Sequence, residues 1–338
     1  MNIIIFIFLS SLFSFQLLFD DNSIDVFHDS ELLNHPFSGG LNKPKVQWID
    51  WDGDNDDDLF ILDQDGYIRY MENISTDDEF KFIIRSSNMF GIYAGGWFHI
   101  ADFDNDEDLD IVTQSQANSQ QASYYVNNSG MMEYIENLSV LSDPVMTPTF
   151  ADIDNDGDLD FFTGNYVGTV NFYENTGLNQ NVPQYTFITN YWQEISIIGP
   201  SLRHGASAIK FIDLDGDFDL DLSWGDYFQQ SMYIIWNIGT ASNPLMNIEN
   251  VTQQFPQNNP ILTTGQNMPS FTDIDGDSDQ DLFISVLGVD GSGLQLANNF
   301  YFYENIGSFE ESNYIYKTND FLNTIDHKSG TCPSLADI

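Results

Sequence analysis

The stretch DIDNDGDLDFFT, Asp152 to Thr163, decides the reading of this chain, because it occurs five times. Its counterparts are DWDGDNDDDLFI from Asp50, DFDNDEDLDIVT from Asp102, DLDGDFDLDLSW from Asp213 and DIDGDSDQDLFI from Asp273. The five align without gaps and start 52, 50, 61 and 60 residues apart. That period fits one four-stranded sheet with its connections rather than a short solenoid coil.

The similarity continues on both sides of the acidic run. A short apolar segment precedes each loop, such as VQWI before Asp50 and PTFA before Asp152, and a nearly continuous apolar segment follows it. The second segment reads as a strand buried on both faces. Turn signals such as DQDG, Asp63 to Gly66, and NYVG, Asn165 to Gly168, then lead into a third strand. It ends in a recurring tag: YMENIS at Tyr70, YVNNSG at Tyr125, FYENTG at Phe172, IIWNIG at Ile234 and FYENIG at Phe302. A variable fourth strand closes the unit, for example FKFII from Phe80. Each unit is a small sheet that cannot bury its apolar faces alone. Stacking the sheets around an axis covers them, which predicts an all-β protein built as a β-propeller. Separate small domains on linkers would leave the same faces in water.

The repeats begin near residues 44, 97, 147, 207 and 268 within a region spanning 26–338. PSLADI, Pro333 to Ile338, matches PSFTDI, Pro269 to Ile274, and reads as a truncated sixth repeat starting at 333. The expectation is therefore an incomplete ring that this chain alone does not close.

Alternating aspartates at loop positions 1, 3, 5, 7 and 9 suit a hard cation. Short carboxylates on a tight turn converge on one centre, with position 7 contributing its backbone carbonyl. The candidate ligands of the first loop are Asp50, Asp52, Asp54, Asp56 and Asp58. Those of the second are Asp102, Asp104, Asp106, Asp108 and Asp110, and of the third Asp152, Asp154, Asp156, Asp158 and Asp160. The fourth offers Asp213, Asp215, Asp217, Asp219 and Asp221; the fifth offers Asp273, Asp275, Asp277, Asp279 and Asp281. Calcium, which takes six to eight oxygens in an irregular shell, suits them better than magnesium, giving up to five Ca²⁺ sites. Solvated acidic turns are the alternative, but so many like charges in nine residues need a counter-charge. An EF-hand would need a glutamate at position 12 and flanking helices, and here Ile61, Thr113, Thr163, Trp224 and Ile284 stand at that position.

Composition agrees with a cation partner. Among 338 residues, nine Lys and Arg face 52 Asp and Glu, a formal charge of −43. That field opposes binding to nucleic acid or to an anionic membrane surface. With 28 Phe and 16 Tyr the chain has the means to build a core. One cysteine, Cys332, excludes a disulfide framework and multi-cysteine zinc sites.

Residues 1–19 hold the apolar run IIIFIFLSSLFSFQLLF, which stops just before Asp20. They read as a signal peptide, with a retained signal anchor or a buried segment as alternatives. The first two place the protein in the secretory pathway, secreted or on the outer face of the cell. Four sequons, at Asn73, Asn127, Asn137 and Asn250, are compatible with that route.

The repeats resemble the FG-GAP/VCBS family, known from the head of integrin α subunits; FGIYAGGWFHIADFDNDEDLDIV from Phe90 even carries an FG and an AGG. The resemblance implies a seven-bladed ring, so that this chain would hold five complete repeats and part of a sixth. It also implies calcium between the first and second strands of each blade, on the face away from the ligand surface, and a role in adhesion or recognition. The family favours glycine at loop position 6, where only Gly157 complies; Phe218 and Glu107 would be strained there.

No catalytic constellation emerges. His28, His35, His99, His204 and His327 are scattered, and no nucleophile-elbow, zinc-protease or phosphate-loop motif occurs. The expected function is a non-enzymatic module binding an extracellular protein or glycan ligand, with Trp97, Tyr166, Trp192, Trp224 and Trp236 as candidate contacts or core residues. The alternative is a polysaccharide hydrolase or lyase, or an accessory propeller of one.

Overall fold

The computed structural model describes residues 26–28, 31–35, 38–76, 80–197, 207–227, 229–286 and 297–324. The expected leader at 1–19 and the partial repeat at 333–338 lie outside them. After a short hairpin, β1 (Phe27–His28) and β2 (Glu31–Leu32), come five four-stranded antiparallel sheets. Blade 1 is β3 (Lys45–Ile49), β4 (Asp58–Leu62), β5 (Ile68–Asn73) and β6 (Phe82–Ser86). Blade 2 is β7 (Phe98–Ala101), β8 (Asp110–Gln114), β9 (Gln121–Asn128) and β10 (Met131–Leu141). Blade 3 is β11 (Thr149–Ala151), β12 (Asp160–Gly164), β13 (Val170–Asn179) and β14 (Val182–Thr189). Blade 4 is β15 (Ser207–Ile212), β16 (Asp221–Asp226), β17 (Met232–Asn237) and β18 (Met246–Thr252). Blade 5 is β19 (Asn267–Thr272), β20 (Asp281–Val286), β21 (Phe300–Asn305) and β22 (Tyr314–Thr318). Two short 3₁₀ turns, Met89–Gly91 and Trp192–Glu194, are the helical elements among the described residues, and no described helix is long and apolar enough to cross a membrane.

Every second strand is buried along its length, as its apolar sequence requires. Its side chains alternate between the two neighbouring blades. Leu59 and Ile61 join the cluster shared with blade 5, whereas Phe60 joins the cluster shared with blade 2. Phe161 faces blade 2 and Phe162 faces blade 4. Five apolar clusters result, one between each pair of neighbours, and the fifth unites Trp48, Leu59 and Ile61 of blade 1 with Phe283, Phe300 and Phe302 of blade 5. Trp48 and Phe283 have ring centroids 4.6 Å apart.

This last contact corrects the ring size. The expected incomplete seven-bladed ring would leave one face of blade 5 waiting for a further sheet, but blade 1 already covers that face. Thr272 donates to Asp57 at 2.6 Å, and Asn299 Nδ2 donates to the Asn42 carbonyl at 3.1 Å across the same junction. The described residues form a closed five-bladed propeller. The first strands line its axis, the acidic loops all lie at one end, and the turns between second and third strands lie at the other.

Candidate metal loops

Each acidic loop joins the first strand of a blade to the second. Its opening aspartate folds the turn by accepting backbone N–H donors. Asp152 takes Asp156 N on Oδ1 and Gly157 N on Oδ2, both at 3.0 Å. Asp50, Asp102, Asp213 and Asp273 do the same for their own loops. Position 5 holds the next bend: Asp54, Asp106, Asp156, Asp217 and Asp277 each accept the N–H two residues on, at 2.9–3.2 Å.

These bonds turn the carboxylates towards one another. Ligand oxygens of Asp50, Asp52 and Asp54 lie within 4.8 Å of each other, as do those of Asp152, Asp154 and Asp156, of Asp213, Asp215 and Asp217, and of Asp273, Asp275 and Asp277. In the second loop the converging set is Asp102, Asp104 and Asp110. Every loop also buries one carboxylate oxygen with no hydrogen-bond donor: Oδ1 of Asp56, Asp104, Asp154, Asp219 and Asp279. An unsatisfied buried carboxylate is costly unless a cation answers it, so the donor set fits a calcium ion. Asp56, Asp219 and Asp279 occupy position 7, where the sequence suggests only a carbonyl, so their side chains join the candidate ligands. Asp108 and Asp158, at the same position, are drawn in through their backbone N–H.

Position 9 serves a second purpose. Asp58, Asp110, Asp160, Asp221 and Asp281 are buried at the head of the second strand. Each accepts, at 2.7–2.8 Å, the backbone N–H of the asparagine that closes the tag: Asn73, Asn127, Asn175, Asn237 and Asn305. Asn73, Asn127 and Asn175 return a bond from Nδ2 to the carbonyl of loop position 8. Tyr70 and Tyr124 add phenol donors to Asp58 and Asp110 at 3.1 and 2.7 Å. The tag is thus the third strand's half of a clasp, a role its recurrence hinted at without showing the partner.

Burial pushes these clasp carboxyls up against the pull of their donors: Asp58 and Asp110 to about 6, Asp160 and Asp281 to about 7, Asp221 to about 8. Burial followed by repulsion from neighbouring aspartates raises Asp56, Asp104, Asp219 and Asp279 to about 6. Asp52, Asp154, Asp215 and Asp275 are raised for the same reasons. A bound divalent cation reverses that logic and favours the charged forms.

The turn needs left-handed backbone twice. Position 6 has φ between 68° and 93° in every loop, with Asn55 at 77°, Glu107 at 74°, Gly157 at 93°, Phe218 at 68° and Ser278 at 76°. Glu107 and Phe218 therefore adopt the strained geometry rather than reshaping the loop. Position 4 is left-handed too, which explains why Gly53, Gly216 and Gly276 alternate there with Asn105 and Asn155.

A family model described as an FG-GAP-like repeat matches residues 152–224, from the third acidic loop into β16. This segment is similar to an FG-GAP-like repeat. No curated protein matches the chain. Among solved structures, an Agrocybe aegerita lectin, studied in its recognition of non-reducing terminal N-acetylglucosamine, is similar at 16% identity and a TM-score of 0.42, over 83% of this chain and 67% of that one. Sqt1 from Chaetomium thermophilum is similar at 11% identity and a TM-score of 0.31, over 82% and 57%. Neither likeness bears on the ligand of this propeller.

The remaining candidates divide sharply. Trp97, Trp192 and Trp224 are core residues, and Trp236 packs between blades 4 and 5. Tyr166 stands exposed on the turn between β12 and β13. Of the sequons, Asn73 and Asn127 are buried in their clasps, Asn137 bonds Ser123 and Gln121, and Asn250 is exposed.

Proposed function

We propose that this chain is a calcium-stabilised propeller acting outside the cell, secreted or at the cell surface, as a non-enzymatic recognition module for a protein or glycan ligand. The observation that carries the calcium reading is the fivefold recurrence of converging carboxylates with one donorless buried oxygen per loop. Positions 1, 3 and 5 would hold the ion, with position 7 or 9 completing the set, and the ion would supply counter-charge to turns that otherwise repel themselves. Ligand binding belongs to the end of the ring opposite these loops, where the acids are not committed. Tyr166, Val167 and Tyr191 are exposed there, and Thr169 ties their two turns together through the Asn190 carbonyl at 2.6 Å.

Equilibrium dialysis of the purified chain against millimolar calcium tests the first half; uptake near five ions per chain is expected, and no uptake refutes it. A glycan array paired with a polysaccharide-cleavage assay tests the second. Binding without turnover is expected, whereas turnover would make the chain an enzyme.

A further inference from the structure

The axis of the ring holds a cavity of about 50 Å³ whose character is opposite to that of the loops. Lys45, Gln47, His99, Thr147, Thr149 and Lys210 contribute its polar lining, and among the described residues no aspartate or glutamate lines it. In a chain with 52 acids and nine Lys and Arg, two of the nine stand in one small chamber.

Register explains the arrangement. Gln47, His99, Thr149, Lys210 and Ser270 each stand three residues before the first aspartate of their loop, on five different first strands. Equivalent positions on the inner strands share one level of the axis, so the five form a polar ring. Gln47 is spent on β7, accepting Ile100 N at 2.8 Å and donating to the Ile100 carbonyl. Ser270 Oγ is buried without a partner. Lys45 Nζ donates to the Lys43 carbonyl at 3.1 Å, towards the end away from the loops. Lys210 forms no ion pair with any described residue. Protein surrounds its ammonium, which keeps only limited contact with solvent through the cavity, and that enclosure lowers its pKa to about 8. Desolvation and the Lys210 charge lower His99, leaving a neutral ring with one N–H to donate.

An enclosed ammonium without a counter-charge is unfavourable, and acids are abundant enough elsewhere that one at this level would have been a small change. We infer that the axial cavity seats one small inorganic anion, held by the Lys210 ammonium with donors from His99 and Thr149. The volume suits a halide with a water molecule or a compact oxyanion, since one water needs about 10–15 Å³ on this scale.

The test uses the whole calcium-loaded chain at pH 7 and constant ionic strength, with gluconate exchanged stepwise for chloride, bromide, nitrate or sulfate. Melting temperature is expected to rise by about 3 °C at an anion concentration ten times the dissociation constant. Preference among the four separates a halide seat from an oxyanion seat. Lys210→Met is expected to abolish the rise, and His99→Gln to weaken it. If Lys210→Met does not fold, bromide-soaked crystals of the native chain decide the matter by anomalous scattering: a peak on the axis is expected. No anion-dependent shift in the native chain, an undiminished shift in Lys210→Met, or bromide confined to the outer surface would overturn the assignment.

Discussion

The rim and the foot of each acidic loop are built from the same residue yet do different work. At the rim, positions 1, 3 and 5 bring carboxylates together near solvent, and their gathering makes sense with a cation present. At the foot, position 9 is buried and already satisfied by backbone donors from its own loop and from the third strand. The contrast teaches that an acidic repeat is not uniformly a metal motif. One aspartate in five is first a piece of the sheet.

The strongest way to break this contrast is to remove one member of each class. Asp58→Ala takes the acceptor from Asn73 N and Tyr70 Oη in a buried place. Urea unfolding is expected to show a loss of about 3 kcal/mol, with calcium and with chelator alike. Asp154→Asn at the rim is expected to cost about 1.4 kcal/mol when calcium stands at ten times its dissociation constant, and almost nothing in chelator. Equal calcium dependence in both variants would erase the distinction.

Acid titration sharpens the same contrast at a smaller scale. The foot carboxyls titrate at about 6 to 8 in the folded chain, against an ordinary value of 3.8. Between those values the folded chain keeps protons that the unfolded chain has lost, so in chelator stability should fall as pH rises from about 4 to about 8. Calcium is expected to flatten the slope, because Asp110 lies within reach of its rim partners. An unchanged slope would confine the ion to the rim.

The smallest effect concerns backbone strain. Phe218 holds φ at 68° with its ring largely in water, touching Phe309 at a centroid distance of 6.1 Å. Phe218→Gly should raise stability by about 1 kcal/mol, read as a higher urea midpoint. A lower midpoint would mean that the ring contact outweighs the strain.

The sequence made much of this legible because repetition reports what every unit needs. Apolar runs after Asp58 and Asp160 marked the buried second strands, and the spaced aspartates marked the turns. The partner of position 9 stayed hidden because Asn73 and Asn175 lie 15 residues further on, across a pairing that only the folded sheet reveals. Ring size was hidden for another reason. Blade number depends on how Trp48 and Phe283 let two sheets approach, whereas the expectation of seven came from resemblance. The axial chamber was missed because Gln47, His99, Thr149 and Lys210 share no residue type, only a register.

One feature of the closed ring bears on how the molecule comes apart. At four of the five junctions the chain runs on from one blade into the next, but blade 5 meets blade 1 through partners far apart in sequence, such as Thr272 and Asp57, which lie 215 residues apart. Contacts so distant along the chain are slow to make and gain nothing from tethering. Under heat or mechanical load, that seam is where the circle would part first and re-form last.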